Sequence, residues 1–242
     1  MDSIAKKGRF FLLAAAILAW LGAFGIVFNQ VMNVVLSNIV TENIGTVLGV
    51  YNRISAVLGA LLVGAVPCVL LLFAASHTEG RTKQALFAFA CGTGASALLT
   101  LLHFSLQTPE SSYLMNMAAA GVTCLCMLPG DILLAADRRN CGTVKGISVA
   151  AAVFTLLTAL GKIAANYCGY QYVMTYAFDP WINLLTLASN VSLFVSVIAA
   201  VLDGTKLMLL YALPVVELRP DAHKTASDGE ADEKGAESGG VE

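Results

Sequence analysis

Residues Tyr113 to Tyr170 read YLMNMAAAGVTCLCMLPGDILLAADRRNCGTVKGISVAAAVFTLLTALGKIAANYCGY. Two long apolar runs flank a short connector, Asp137-Arg138-Arg139-Asn140-Cys141-Gly142-Thr143-Val144-Lys145. Each run holds the roughly 20 apolar residues that an α-helix needs to cross a hydrocarbon layer. Arg138, Arg139 and Lys145 in so short a connector place it on the cytoplasmic side. The stretch therefore reads as a membrane helical hairpin, and the first of its two runs carries a carboxylate, Asp131, directly after the Pro129-Gly130 step.

The same grammar repeats along the chain. Of 242 residues, 57% are hydrophobic and 12% charged, with a mean hydropathy of +0.76. A soluble domain carries about 25% charged residues, so the composition specifies an integral membrane protein. Spans are expected over Phe10 to about Val40, Val47 to Phe73, Gln84 to His103, Tyr113 to Ala136, Gly146 to Tyr167, and from Trp181 to about Leu213. The fold class implied is all-α, a polytopic bundle of six transmembrane helices. Residues 1–9 precede it as a cytoplasmic N-terminus, retained rather than cleaved, because the first apolar run continues past any signal-peptide length. From Glu217 onward Asp, Glu, Gly, Ser and Ala dominate without aromatics. An acidic segment over 214–242 cannot bury enough apolar surface to fold, and a disordered cytoplasmic tail is expected.

Basic residues set the orientation. Lys6, Lys7 and Arg9, then Arg81 and Lys83, then Arg138, Arg139 and Lys145, then Arg219, Lys224 and Lys234 fall on one side if every run crosses once. The loops between have essentially none, so both termini are expected in the cytoplasm. The six cysteines lie mostly in apolar runs, where they act as small hydrophobes. The histidines lack ligand spacing, so neither a metal nor another cofactor is expected. No basic, aromatic-interleaved patch points to nucleic acid. No nucleophile–base pair or phosphate-cradling loop points to an enzyme.

Several polar residues stand inside or beside the spans. Gln30, Asn33 and Ser37 recur at i, i+3, i+7 and share one helix face, suited either to inter-helix hydrogen bonding or to lining a cavity. Asn52 and Arg53 sit near the start of the second span; there an arginine either snorkels to the interface or serves a pathway. Asp131 is the leading candidate for a site residue, about 9 Å from the cytoplasmic end of its helix by the helical rise. Lys162 lies roughly 24 Å up the fifth span, too far from Asp131 for an ion pair. Asp203 and Lys206 are three apart on the last span and read as a local pair near the boundary. Ile44-Gly45-Thr46-Val47-Leu48-Gly49 echoes Cys141-Gly142-Thr143-Val144-Lys145-Gly146 about three spans later, as an inverted three-plus-three repeat would.

Four passages resemble one known family. Glu79-Gly80-Arg81-Thr82-Lys83 looks like a basic Gly-Arg/Lys turn, and Met127-Leu128-Pro129-Gly130-Asp131 looks like "M-L-P-D" with one extra residue. Gly146 through Gly161 with Gly169-Tyr170-Gln171, and then Leu210-Tyr211-Ala212-Leu213, complete the succession. Together they resemble the C-terminal six-helix half of a major facilitator superfamily transporter of the glycoside–pentoside–hexuronide:cation symporter type, which includes sodium-dependent lysophospholipid transporters. The family's lysine before a Leu-Gly pair is matched here by Ala159, with Lys162 about one turn further on. The resemblance implies transport of a sugar-like or lysolipid-like solute with a co-transported cation, along a pathway drawn from Asp131, Lys162, Gln30, Asn33, Ser37, Asn52 and Arg53. The family has twelve helices, so a partner half or self-association is implied as well. The alternative is a truncated half that binds other membrane helices and transports nothing.

Overall fold

The computed structural model describes residues 2–39, 44–103, 109–175 and 179–212. The acidic tail and the turn expected at Val40 to Asn43 lie outside the described residues. Everything described is helical except two short turns at the basic end. α1 runs Asp2–Ile39, so the helix begins well before the apolar run that opens at Phe10. The second span is built from α2 (Ile44–Gly59), a π-helical turn (Ala60–Ala65) and α3 (Val66–Ser76). α4 (Gly80–His103), α5 (Pro109–Ala136), α6 (Gly142–Thr175) and α7 (Asp179–Ala212) follow. Six helical stretches are long and apolar enough to cross a membrane: Gly8–Ile39, Gly45–Ser76, Gly80–His103, Ser111–Ala136, Gly142–Met174 and Trp181–Ala212. The chain is an all-α, six-span membrane bundle, as its apolar runs require. Helices satisfy their own backbone groups where lipid cannot.

The spans form a ring in chain order. Each packs on its neighbours in sequence, and α1 closes the circle against α7. Small residues make the contacts close. At the α1–α7 seam the Trp20 indole lies over Gly204, filling the place of a Cβ, and its Nε1 donates to the Val201 carbonyl at 3.3 Å. The π turn presses on both sides. Val63 occupies the space over Gly22 of α1, and a Cβ on Gly64 would stand 2.7 Å from Ala97 of α4. The turn directly precedes Pro67, whose missing N–H breaks the regular ladder, and a widened π turn absorbs that break.

All the large side chains that are fully buried lie toward one end: Phe89, Leu71, Leu86, Leu134, Val144, and with them Asp131, Ser148 and Lys206. This end also holds the start of α1 and the end of α7. Gly8 abuts His77, and Arg9 and Phe10 share a groove with Tyr211 and Ala212. Two connections latch together there. Arg81 Nη1 donates to the Ala136 carbonyl at 2.7 Å, capping α5. Asp137, buried, accepts from the Thr82 hydroxyl at 3.1 Å and from the Arg139 backbone N–H at 3.0 Å. Gly80 opens α4 with φ +70°, which a side chain would adopt only under strain, beside the Arg139 guanidinium. Basic residues thus gather at one end of the ring, while Tyr167 and Trp181 meet edge-to-face (centroids 6.3 Å apart) toward the other.

Candidate functional site

Three charged side chains meet inside the ring near its basic end. Asp131 projects from α5 and is 0% exposed; Lys206 projects from α7 and is 1% exposed. The Lys206 ammonium donates to Asp131 Oδ1 at 2.5 Å and stands 2.6 Å from Asp203 Oδ1 one turn back on its own helix. The second contact is an ion pair without hydrogen-bond alignment, since Asp203 Oδ1 has no hydrogen-bond partner. Asp203 is 20% exposed. From α4 the Phe89 ring faces the same ammonium, with its centroid 3.9 Å away, a cation–π contact.

Local sequence explains how each group arrives there. Phe89 lies directly over Gly130, and a Cβ at Gly130 would stand 2.6 Å from Phe89 Cε1. Glycine before Asp131 is what lets the ring pass between α4 and α5 to reach Lys206. The Pro129-Gly130 step therefore meets an aromatic ring. α5 runs through Pro129 as one helix, and Pro129 itself is exposed.

The cluster joins helices that are not neighbours in the ring. The backbones of α5 and α7 make no packing contact, because α6 lies between them. Lys206 spans that gap. Two carboxylates against one ammonium leave the group one negative charge in excess when all are ionised. Asp131 Oδ2 is buried and has no hydrogen-bond partner. Burying an ion costs several kcal/mol unless it is compensated, so this arrangement holds charge where an apolar triad would pack without it.

The other residues singled out in the sequence stand elsewhere. Lys162 is exposed on α6, and no ion pair joins it to Asp131. Gln30 and Ser37 are exposed and Asn33 half-buried; Ser37 Oγ donates along its own helix to the Asn33 carbonyl at 2.7 Å. Asn52 and Arg53 are exposed on α2. The polar contact between α1 and α2 is made instead by Ser55, whose hydroxyl donates to Asn29 Oδ1 at 3.1 Å. Asp131 alone of the seven candidates belongs to the cluster.

Lys206 and Asp203, read from sequence as a local boundary pair, do pair locally, but Lys206 is also the partner of Asp131. A signal was present. Asp131 precedes the end of α5 at Ala136 by nearly the same distance as Lys206 precedes the end of α7 at Ala212. Both helices end on the same side, so the two charges share a depth. Among the described residues no three His, Cys, Asp or Glu side chains converge as metal ligands would. The groove of Arg9, Phe10, Leu13, Tyr211 and Ala212 shares no residue with the cluster. In comparisons with family models, with characterised proteins and with solved structures, nothing matches this chain.

Proposed function

We propose that this protein is a cation-coupled membrane transporter, or one half of one, that moves a small sugar-like or lysolipid-like solute. One observation carries the reading: a cluster of two aspartates and a lysine inside a six-span bundle, with Asp131 and Lys206 fully buried and Asp131 Oδ2 left without a hydrogen-bond partner. Ionisable groups within membrane spans are expensive and mark ion pathways by default. The cluster also ties α7 to α5 across the ring, so a change in its charge acts on helices that must move if the bundle is to open. The four passages that resemble the symporter half agree with this, and they supply the solute class. Basic ends on one side put both termini in the cytoplasm by the positive-inside rule. A second copy, or a partner half, supplies the other wall of the solute cavity.

The test is uptake by the full chain in proteoliposomes, using labelled glycosides and a labelled lysophosphatidylcholine under an inward proton or sodium gradient. Uptake of at least one probe is expected, with a loss of about tenfold or more in Asp131→Asn, equivalent to about 1.4 kcal/mol or more. If no probe enters and no gradient-driven ion movement is seen, transport by this chain is refuted.

A second reading has its own support. Gln30, Ser37, Asn52 and Arg53 are exposed on α1 and α2, polar groups that another membrane helix would satisfy. Under that reading the chain is a non-transporting interaction protein. Asp131→Asn then lowers stability and changes nothing else.

A further inference from the structure

The following rests on the cation-coupled reading and names the ion. We infer that the coupling ion is a proton taken up by Asp131, and that Lys206 is the residue that denies the cluster to sodium.

The geometry leaves little room for a metal cation. A hard cation needs a shell of oxygen ligands, typically about six. Here the place between the two carboxylates is filled by the Lys206 ammonium, within 2.5 Å of Asp131 Oδ1 and 2.6 Å of Asp203 Oδ1. The next face is the Phe89 ring, which offers π density and no oxygen. A metal ion entering would meet a fixed positive charge and would have to displace it.

A proton meets the same ammonium charge, but it needs no oxygen shell and no space of its own. Asp131 Oδ2 is buried and lacks a hydrogen-bond partner, so protonation there breaks no hydrogen bond. One O–H bond forms, the proton comes from the aqueous phase, and the cluster passes from one excess negative charge to neutral. Lys206 remains paired with Asp203 on its own helix. The charged part of the α5–α7 link is lost, because a neutral carboxyl no longer holds the ammonium by ion pairing. The charges acting on Asp131 are Lys206 and Asp203, both from α7; α4 contributes the Phe89 ring, and neither α4 nor α6 adds a charge. Asp203, the partly exposed member, is the cluster's contact with the surroundings.

Lys206 thus acts as a tethered cation. It supplies the positive charge that a bound sodium ion would supply, and leaves the proton as the exchangeable ligand. This is a specificity role, separable from whether the protein transports at all.

The experiment is infrared difference spectroscopy of the full chain in phosphatidylcholine nanodiscs, comparing acidic with neutral buffer, with and without sodium chloride. The wild type is expected to show the carbonyl band of a buried protonated carboxyl. That band should be absent in Asp131→Asn and unchanged by sodium. In Lys206→Gln, sodium should now suppress it, while Lys206→Arg, which keeps the cation, should behave as wild type. A wild-type band suppressed by sodium overturns the inference, as does a full band persisting in Asp131→Asn. A sodium-insensitive band in folded Lys206→Gln overturns the role of Lys206. If Lys206→Gln does not fold, judged by its elution profile, the wild-type and Asp131→Asn arms decide the proton site, and a Lys206→Arg band suppressed by sodium overturns the role of a fixed cation. None of these measurements uses solute movement. A chain that takes the proton but accumulates no probe in proteoliposomes loses the transport reading and its coupling, and keeps only the proton site at Asp131 and the sodium-excluding role of Lys206.

Discussion

Lys206 holds Asp131 at 2.5 Å across a gap that the backbones of α7 and α5 do not close. The ion pair is therefore a long-range tie, and not the by-product of two helices that pack anyway. Removing the ammonium leaves two carboxylates facing one another, with Asp131 fully buried. Lys206→Met is expected to cost about 3–5 kcal/mol, the penalty of stranding a buried charge. Thermal unfolding in detergent measures it. Asp131→Asn combined with Lys206→Gln should cost less than the sum of the two single changes, with a coupling on the order of 0.5–3 kcal/mol. Simple additivity would show that the two side chains do not interact.

Asp137 is the second buried carboxylate, and its role is structural. It accepts from Thr82 and from the Arg139 backbone, fastening the α5–α6 connection to the start of α4. Hydrogen bonds to a charged group contribute about 1.5–3 kcal/mol each way they are counted. Asp137→Ala should lower stability by that order without altering any ion dependence that Asp131 confers. A shift in the infrared carboxyl band in Asp137→Ala would contradict this division of roles.

The α1–α7 seam depends on a glycine. Because the Trp20 indole fills the position of a Cβ at Gly204, Gly204→Val forces the ring out and loosens the seam that closes the circle. Overpacking of this kind costs about 1–3 kcal/mol. In a Trp181→Phe background, Trp20 emission should shift to longer wavelength in the variant. An unchanged spectrum and an unchanged melting temperature would mean that the seam is not packed as described.

Sidedness is open to direct labelling. With the other five of the six cysteines replaced, Cys141 should react with a membrane-impermeant maleimide from the cytoplasmic face only. In the same background lacking Cys141, Asp179→Cys should react from the opposite face only. Labelling of both from one compartment would sink the topology, and with it the cytoplasmic placement of the termini.

Much of the fold was legible before any tertiary information. The six spans follow from apolar run length, and the structure extends them by two to eight residues at most ends, because helices continue beyond the hydrocarbon layer. Asp131 was legible as well, since a carboxylate inside an apolar run stands out by cost alone. The stripe of Gln30, Asn33 and Ser37 was correctly placed along α1, but helical periodicity says only that residues share a face, and here Gln30 and Ser37 are exposed while the partly buried Asn29 makes the contact to α2. The π turn ahead of Pro67 had a cue in the proline, yet whether a helix kinks, ends or widens there is settled by what it packs against.

The amino-acid sequence by itself determined the class of molecule, the number of spans and the gathering of basic residues at one end. These follow from the transfer cost of side chains and the need of each backbone group for a partner, which are properties of single segments. Only the tertiary structure decided that Lys206 meets Asp131. That choice turns on how α1 closes against α7 and brings the last helix round the ring, a relation between segments distant in the chain that no local pattern encodes.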